Sequence, residues 1–139
     1  MIYFFEEDIR VPLSNKRAIK AWLQAVAKEE NKKIIELNYI FCSDEYLLEI
    51  NKKYLNHHTL TDIITFDQSE TPTKIEGDIY ISFERVLENG KVHNSEKTEL
   101  YRVIVHGLLH LLGYTDKKEE EQKIMRAKED YYIQQLDIL

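Results

Sequence analysis

The chain has 139 residues, 43% of them hydrophobic and 32% charged, with 4 Gly and 2 Pro, so we expect one compact globular domain over residues 1–139 and no second domain. The formal net charge of −6 excludes a protein that coats nucleic acid through an overall positive charge. The single cysteine, Cys42, excludes an internal disulfide and a zinc site built from cysteines.

The first residues lack the features of an export signal. Residues 1–11, MIYFFEEDIRV, become acidic after five residues, whereas a signal peptide has a basic start followed by a longer apolar stretch. The longest apolar stretch, residues 103–112, contains two histidines and is too short to span a bilayer. We therefore expect a soluble, cytoplasmic protein with no membrane partner.

The first strand and the first helix are predicted within the first thirty residues. Residues 1–5 form a short apolar and aromatic run that is typical of a strand. Pro12 and Ser14 mark the entry to a helix. The apolar residues of this helix recur at helical spacing, and they are Ile19, Trp22, Leu23 and Val26. Trp22 is therefore expected in the core.

A second strand and a second helix follow. Residues 36–42 alternate in polarity and are rich in β-forming residues, which predicts a strand. Ser43 can cap the next helix, whose inner face we expect to carry Leu47, Ile50 and Tyr54. Residues 56–59 are predicted as a loop.

The rest of the chain predicts two strands and three helices. These are strands at residues 62–67 and 77–82, a short helix from Ser82 through Leu87 that Asn89-Gly90 ends, a helix at residues 95–112, and an amphipathic helix at about residues 118–136. The fold class is therefore α+β: a single domain in which a small mixed sheet of about four strands is covered by about five helices.

The helix at residues 95–112 leads into the segment HGLLHLLGYTD, residues 106–116. His106 and His110 are one helical turn apart, so their rings lie side by side. Gly113 suits the left-handed residue that ends a helix, and the reversed chain then brings Asp116 toward the rings. The spacing is that of metzincin zinc ligands with an acid in place of the third His. It predicts a zincin-like metal helix.

A site with this ligand set indicates a catalytic metal. Two imidazoles and a carboxylate leave a coordination position for water, which is typical of catalytic zinc. We expect one zinc ion per chain, although Mn²⁺, Fe²⁺ or Ni²⁺ also accept these ligands. Gly107 stands where H-E-x-x-H proteases carry their general base, which disfavours peptide hydrolysis. Glycine inside a helix is unfavourable, so close packing or substrate approach should require it.

Four segments, in this order, resemble the YbeY family of bacterial ribosomal-RNA maturation factors. They are EINKKYL (residues 49–55), LTDIITF (60–66), GDIYIS (77–82) and HGLLHLLGYTD (106–116). The resemblance implies a metal-dependent, single-strand-specific endoribonuclease that acts in small-subunit rRNA maturation and ribosome quality control. It also implies single-stranded RNA, ribosomal RNA and the small ribosomal subunit as partners, without DNA. His106, His110 and Asp116 take the metal-binding positions, and Asp116 replaces the usual third His.

A second departure from the family concerns the substrate groove. Family members usually carry an Arg after the Tyr of the N-x-x-Y segment, whereas this chain has Leu55. Nearby residues that can replace the missing cation are Lys52, Lys53, His57 and His58, and Tyr114 is a candidate for stacking on bases. An exposed helix end and loop, and a packed turn residue for Tyr114, are the alternatives.

Three carboxylates have two interpretations each. Asp62 and Asp78 lie within or beside apolar strands, where they either orient a ligand imidazole or cap a strand end or loop, and we favour capping. Glu99 is either a distant proton acceptor or an exposed charge in the first helical turn, and we favour the exposed charge.

Two other functions compete with the nuclease. A non-catalytic ribosome-assembly factor, in which the metal mainly fixes the last helices, stays open because Leu55 replaces the arginine. A small metalloprotease ranks third, since Gly107 cannot transfer a proton.

Overall fold

The computed structural model describes residues 1–136, and residues 137–139 of the expected domain lie outside the described residues. The elements in chain order are β1 (Ile2–Glu6), α1 (Lys16–Glu29), β2 (Lys33–Cys42), α2 (Asp44–Leu55), β3 (Ile63–Asp67), β4 (Lys74–Ser82), α3 (Phe83–Val92), α4 (Glu99–Leu111) and α5 (Glu119–Ile133). The predicted α+β class, with four strands and five helices, is confirmed. None of the helices within residues 1–136 combines the length and apolarity that a membrane span requires.

The strands form one mixed sheet in the order β1-β2-β4-β3. β1 pairs with β2 and β2 pairs with β4 in parallel, whereas β3 lies antiparallel to β4. Ile79, in the middle of β4, lies opposite Tyr39 of β2 and Thr65 of β3. Side chains alternate along a strand, so Ile75, Ile79 and Ile81 all face the larger core.

Helices cover both faces of the sheet. The larger core joins β2 and β4 to the apolar faces of α1, α4 and α5. On the opposite face, Leu47 of α2 packs with Cys42 and Ile64. Trp22, expected in the core, is buried there, and its indole N–H donates to the carbonyl of Tyr132 at 2.8 Å. This bond ties α1 to α5.

Two strands begin earlier than the sequence predicts. β2 begins at Lys33 rather than residue 36, and β4 begins at Lys74 rather than residue 77. The added residues pair with each other, because Lys33 lies opposite Lys74 and Ile34 lies opposite Ile75. The register shifts between Ile34 and Glu36, which interrupts the alternating pattern on which the prediction depended.

The expected end of the short helix is wrong. α3 continues past Asn89-Gly90 to Val92. Gly90 is buried, and a Cβ atom added there would lie 3.2 Å from the Cα atom of Glu96. The glycine therefore allows the following turn to approach α3 closely. After α3, the left-handed backbone conformation is adopted by Asn94, with φ of 55°, and not by Gly90.

Three further expectations are corrected. α4 begins at Glu99, because residues 95–98 form a turn in which the Glu99 N–H donates to the Ser95 carbonyl at 2.9 Å. Glu99, expected as an exposed charge, is buried and accepts a hydrogen bond from Ser95 Oγ at 3.2 Å. Tyr54, expected on the inner face of α2, is 61% exposed. It lies in the last turn of α2 and meets the Phe66 ring at its edge.

Gly107 lies where α4 crosses the sheet. A Cβ atom added at this position would lie 2.9 Å from two carbons of Ile79 and 3.0 Å from Cδ1 of Ile63. Carbon atoms do not pack at these separations, so α4 reaches this depth only because residue 107 has no side chain. Close packing is therefore the reason for the glycine.

We expect Gly107→Ala to lower the free energy of unfolding by about 1–2 kcal/mol. Overpacking against Ile79 costs roughly 1–3 kcal/mol, and the better helix propensity of alanine offsets up to about 1 kcal/mol. Urea unfolding followed by circular dichroism measures the change. Ala25→Gly, on the exposed side of α1, measures the propensity effect alone. Unchanged stability in Gly107→Ala would show that α4 can move off the sheet without cost.

Candidate metal centre

α4 presents two histidines on one side. His106 and His110 are one turn apart, half-buried at the border of the apolar face, and their ring centroids are 4.5 Å apart. The helix is held in place by a run of buried apolar side chains: Val103, Ile104, Val105, Leu108, Leu109 and Leu111. The position of both rings is therefore set by the packing of α4 on the sheet.

The chain reverses direction directly after α4. Gly113 adopts φ of 111°, in the left-handed region that glycine favours. Its N–H donates to the carbonyl of His110 at 3.0 Å, and the Tyr114 N–H donates to the carbonyl of Leu109 at 3.0 Å. These two bonds form a Schellman motif, a common end of a helix. The reversed chain then places Asp116 beside the two histidines.

Three possible ligand atoms meet at this point. The Nε2 atoms of His106 and His110 are 3.0 Å apart. Oδ2 of Asp116 lies 3.3 Å from each of them, so the three side chains form one group with metal-ligating capacity. Ligand atoms at zinc distances of about 2.0–2.1 Å in a tetrahedron are roughly 3.3 Å apart. The spacing of these atoms therefore fits a metal ion of this size.

The second nitrogen of each imidazole is held by an acceptor. His106 Nδ1 lies 2.6 Å from a carboxylate oxygen of Glu129, and His110 Nδ1 lies 3.0 Å from the carbonyl oxygen of Tyr114. Because these oxygens accept, each Nδ1 donates and each Nε2 presents its lone pair. Two lone pairs and a carboxylate oxygen at such short distances repel one another unless a positive charge lies among them. The donor set therefore suits a divalent metal ion such as zinc.

Glu129 is a site residue that the sequence analysis missed. It lies in α5, is buried, and also accepts a hydrogen bond from Arg102 at 2.8 Å. A signal was present, because Met125 and Tyr132, four residues before and three residues after Glu129, are buried on the same helix face. A carboxylate on an apolar helix face needs polar partners, which here are His106 and Arg102.

The surroundings of His106 favour positive charge. Burial of the ring disfavours its charged form, but the hydrogen bond to Glu129 and the charges of Glu129, Asp116 and Asp62 outweigh burial and raise the pKa of His106. Without a metal, His106 therefore holds a proton more tightly than an ordinary histidine. The same negative charges favour a metal cation at Nε2.

The two strand carboxylates have different surroundings. Asp62 precedes β3, and its charge acts on His106. Partial burial raises the pKa of Asp62 despite the opposing charge of His106. Asp78 instead accepts hydrogen bonds from Asn38 Nδ2 at 3.0 Å and Gln68 Nε2 at 3.3 Å. Asp78 is thus part of an amide–carboxylate group of the sheet, and Asp62 is the one near the metal centre.

The predicted groove cations lie at one end of α2. Lys52 and Lys53 are in its last turns, and His57 and His58 are in the loop that follows; all four are exposed. Lys52 Nζ lies 3.7 Å from Glu49, and Lys53 Nζ lies 5.3 Å from the centroid of the Tyr54 ring. Their contact with a substrate stays a prediction.

Tyr114 contributes to the site through its backbone. Its carbonyl accepts from His110, whereas its ring packs against the core and its hydroxyl donates to Glu30 at 2.7 Å. This placement agrees with the alternative of a packed turn residue. Stacking of the ring on RNA bases is still untested.

Known proteins match nearly the whole chain. The family model described as Endoribonuclease YbeY matches residues 2–137. The protein named endoribonuclease YbeY from Cytophaga hutchinsonii is 55% identical over 130 residues, which cover 93% of this chain and 91% of that protein. The protein of the same name from Amoebophilus asiaticus is 49% identical over 133 residues, which cover 95% of this chain and 90% of that protein.

A solved structure has the same fold. The solution structure of TM1509 from Thermotoga maritima superposes with a TM-score of 0.69 at 27% sequence identity, covering 98% of this chain and 89% of that chain. The family model spans nearly the whole chain, and the two relatives are about half identical over nine-tenths of it. The resemblance carried by residues 49–116 is thus confirmed, and the chain belongs to the endoribonuclease YbeY family.

Proposed function

We propose that this chain is a metal-dependent endoribonuclease that cuts single-stranded RNA in small-subunit ribosomal RNA maturation and ribosome quality control. The relatives that match over nine-tenths of the chain carry the name endoribonuclease. The observation that carries the proposal is the meeting of His106, His110 and Asp116, whose ligand atoms are 3.0–3.3 Å apart. The proposed partners are ribosomal RNA and the small ribosomal subunit, in the cytoplasm and without DNA.

The proposed cofactor is one zinc ion, held by His106 Nε2, His110 Nε2 and Asp116 Oδ2. When bound, such an ion supplies a Lewis acid that polarises a phosphate oxygen or acidifies water. Zinc is the first choice because the atom spacing suits its tetrahedral geometry. Manganese, iron and nickel also accept two imidazoles and a carboxylate.

In this mechanism the protein residues hold the ion and orient its ligands. Glu129 and the Tyr114 carbonyl keep Nδ1 of each histidine protonated, so that both Nε2 atoms stay available as neutral donors. Asp116 adds one negative charge, which favours cation binding. Gly107 faces Ile79 and Ile63 of the sheet and carries no proton-transfer group. This argues against the protease mechanism, which uses a glutamate at that position.

Phosphate binding needs cations other than the arginine of the family. Leu55 takes that position and is 43% exposed. We include in the proposed groove the four exposed groups at the end of α2 and in the loop after it: Lys52, Lys53, His57 and His58. Local binding of this kind is compatible with a net charge of −6, because a single strand can follow a narrow groove. Stacking of the Tyr114 ring on bases stays part of the proposal, with its hydroxyl held by Glu30.

A non-catalytic assembly factor is the second candidate function. It is favoured by Leu55, which offers no charge to a phosphate where relatives usually carry arginine. In that case the metal would mainly join the turn after α4 to α4 itself, and RNA would be bound without being cut.

We expect the purified chain to cleave a labelled single-stranded RNA, to lose this activity in a chelator and to regain it with zinc. The reason is that the proposed chemistry needs the ion held by the three ligands. The same strand annealed to its complement is the control and should be cut far more slowly. Elemental analysis of the same samples gives the metal content. Metal-loaded, folded protein that binds the strand without cutting it would favour the assembly factor.

A further inference from the structure

We infer that Glu30 is a positioning residue for the metal centre and acts through Tyr114. The inference rests on the proposed function, because it concerns the same metal site. Glu30 is the C-cap of α1 and lies 84 positions before Tyr114 in the chain. Sequence motifs around the ligands therefore do not reveal it.

The Glu30 carboxylate accepts hydrogen bonds from three side chains. The donors are the Tyr114 hydroxyl at 2.7 Å, Lys128 Nζ at 3.1 Å and the Tyr132 hydroxyl. The Glu30 side chain is only 14% exposed. Burial disfavours the charged form, but the three hydrogen bonds outweigh burial and lower the pKa of Glu30. The carboxylate thus stays charged and holds the end of α1, the turn after α4 and α5 together.

Tyr114 links this carboxylate to the metal ligands. Its hydroxyl is bound by Glu30, and its carbonyl accepts from His110 Nδ1 at 3.0 Å. It also stands in the chain between His110 and Asp116. A shift of Tyr114 therefore moves both the acceptor that orients one ligand and the segment that carries another.

The two sides of the turn are held by other bonds: Lys32 Nζ donates to the Leu112 carbonyl, and Gln122 Nε2 of α5 donates to the Asp116 carbonyl at 3.0 Å. Gly113 and Thr115, on either side of Tyr114, are exposed, whereas the Tyr114 ring packs against the core. Lys128 Nζ lies 5.6 Å from the centroid of this ring, which adds a cation–π contact. The Tyr114 side chain is therefore the anchor at the tip of the turn, and Glu30 fixes its polar end.

The test uses Co²⁺, because its visible absorption reports both binding and coordination geometry. We expect Tyr114→Phe, which removes only the hydroxyl, to raise the dissociation constant for Co²⁺ roughly 3- to 10-fold, at or below the loss typical of partners that touch a ligand directly. The absorption bands of bound Co²⁺ should also shift. Tyr39→Phe is the matched control, since the Tyr39 hydroxyl donates to the Ile104 carbonyl of α4 at 2.7 Å and touches no ligand. It should lose stability but keep the Co²⁺ affinity within about 2-fold.

Glu30→Ala tests the route of the effect. It should weaken Co²⁺ binding, and the double variant with Tyr114→Phe should bind no more weakly than Glu30→Ala alone, because both remove the same contact. Additive losses, or an equal loss in Tyr39→Phe, would overturn the inference. So would Co²⁺ binding by Tyr114→Phe that matches the unchanged chain. An unchanged chain that binds no Co²⁺ would overturn the proposed function as well, which separates the two failures.

Discussion

Replacing His110 by alanine is expected to abolish metal binding and to lower RNA cleavage more than about 100-fold, beyond the loss typical of an outer partner. Asp116 and His106 alone would leave two ligands on the ion. The measurements are the metal content and the initial rate of cleavage of a labelled single strand. His93→Ala is the matched control, because His93 is an exposed histidine at the C-cap of α3. It should leave both quantities unchanged.

The His110→Ala variant also tests the origin of the activity. The substitution removes a half-buried imidazole ring at the border of the core, so the fold must be checked by circular dichroism before rates are compared. Cleavage that survives in a folded, metal-free variant would place the nuclease activity outside the three ligands, or in a contaminating enzyme.

Glu129→Gln is expected to weaken metal binding roughly 10- to 100-fold. The change keeps the size of the side chain but removes the charge that holds His106 Nδ1 at 2.6 Å. A competition titration with a chromophoric chelator measures the affinity. Asp130→Asn is the matched control, because Asp130 pairs with the same Arg102 at 2.6 Å but is exposed and does not touch a histidine. It should change the affinity less than about 2-fold.

The effect of Glu129→Gln should depend on pH. The ion needs neutral His106, so protons compete with it below the pKa of that ring. Since the pKa of His106 is raised above its ordinary value of 6.5, the affinity of the unchanged chain should begin to fall at a higher pH than usual. Glu129→Gln lowers the pKa of His106, so the metal affinity of this variant should begin to fall only at a lower pH. The two affinities should converge toward acid pH, and a constant ratio would contradict the role of Glu129.

The metal ligands could be predicted because their geometry is local. Helical spacing places His106 beside His110, and Gly113 ends the helix in a left-handed conformation that the sequence also indicates. Each of these features depends on a few neighbouring residues. The α+β class followed in the same way from strand and helix patterns along the chain.

The supports of the ligands could not be predicted from local patterns. Glu129 and Glu30 reach the site only after α5 and α1 pack on the same face of the sheet. Long-range packing, rather than propensity, decides these positions. Gly90 is ambiguous for a different reason. A glycine near the end of a helix predicts a stop, whereas here it lies inside α3 and lets the following turn approach, with the Cα atom of Glu96 3.2 Å from an added Cβ.

The separation of ligands and supports along the chain bears on how the centre is assembled. The three ligands lie within residues 106–116, whereas their supports come from residues 30 and 129. The local segment carries all three ligands, but their supports join the site only when the distant elements dock, so the complete site is a property of the folded chain. An ion held by the local segment alone would exchange faster than one in the finished fold, where both imidazoles are oriented. Slow metal exchange is then a readout of complete folding, and the first sign of partial unfolding at either end of the chain should be faster loss of the ion.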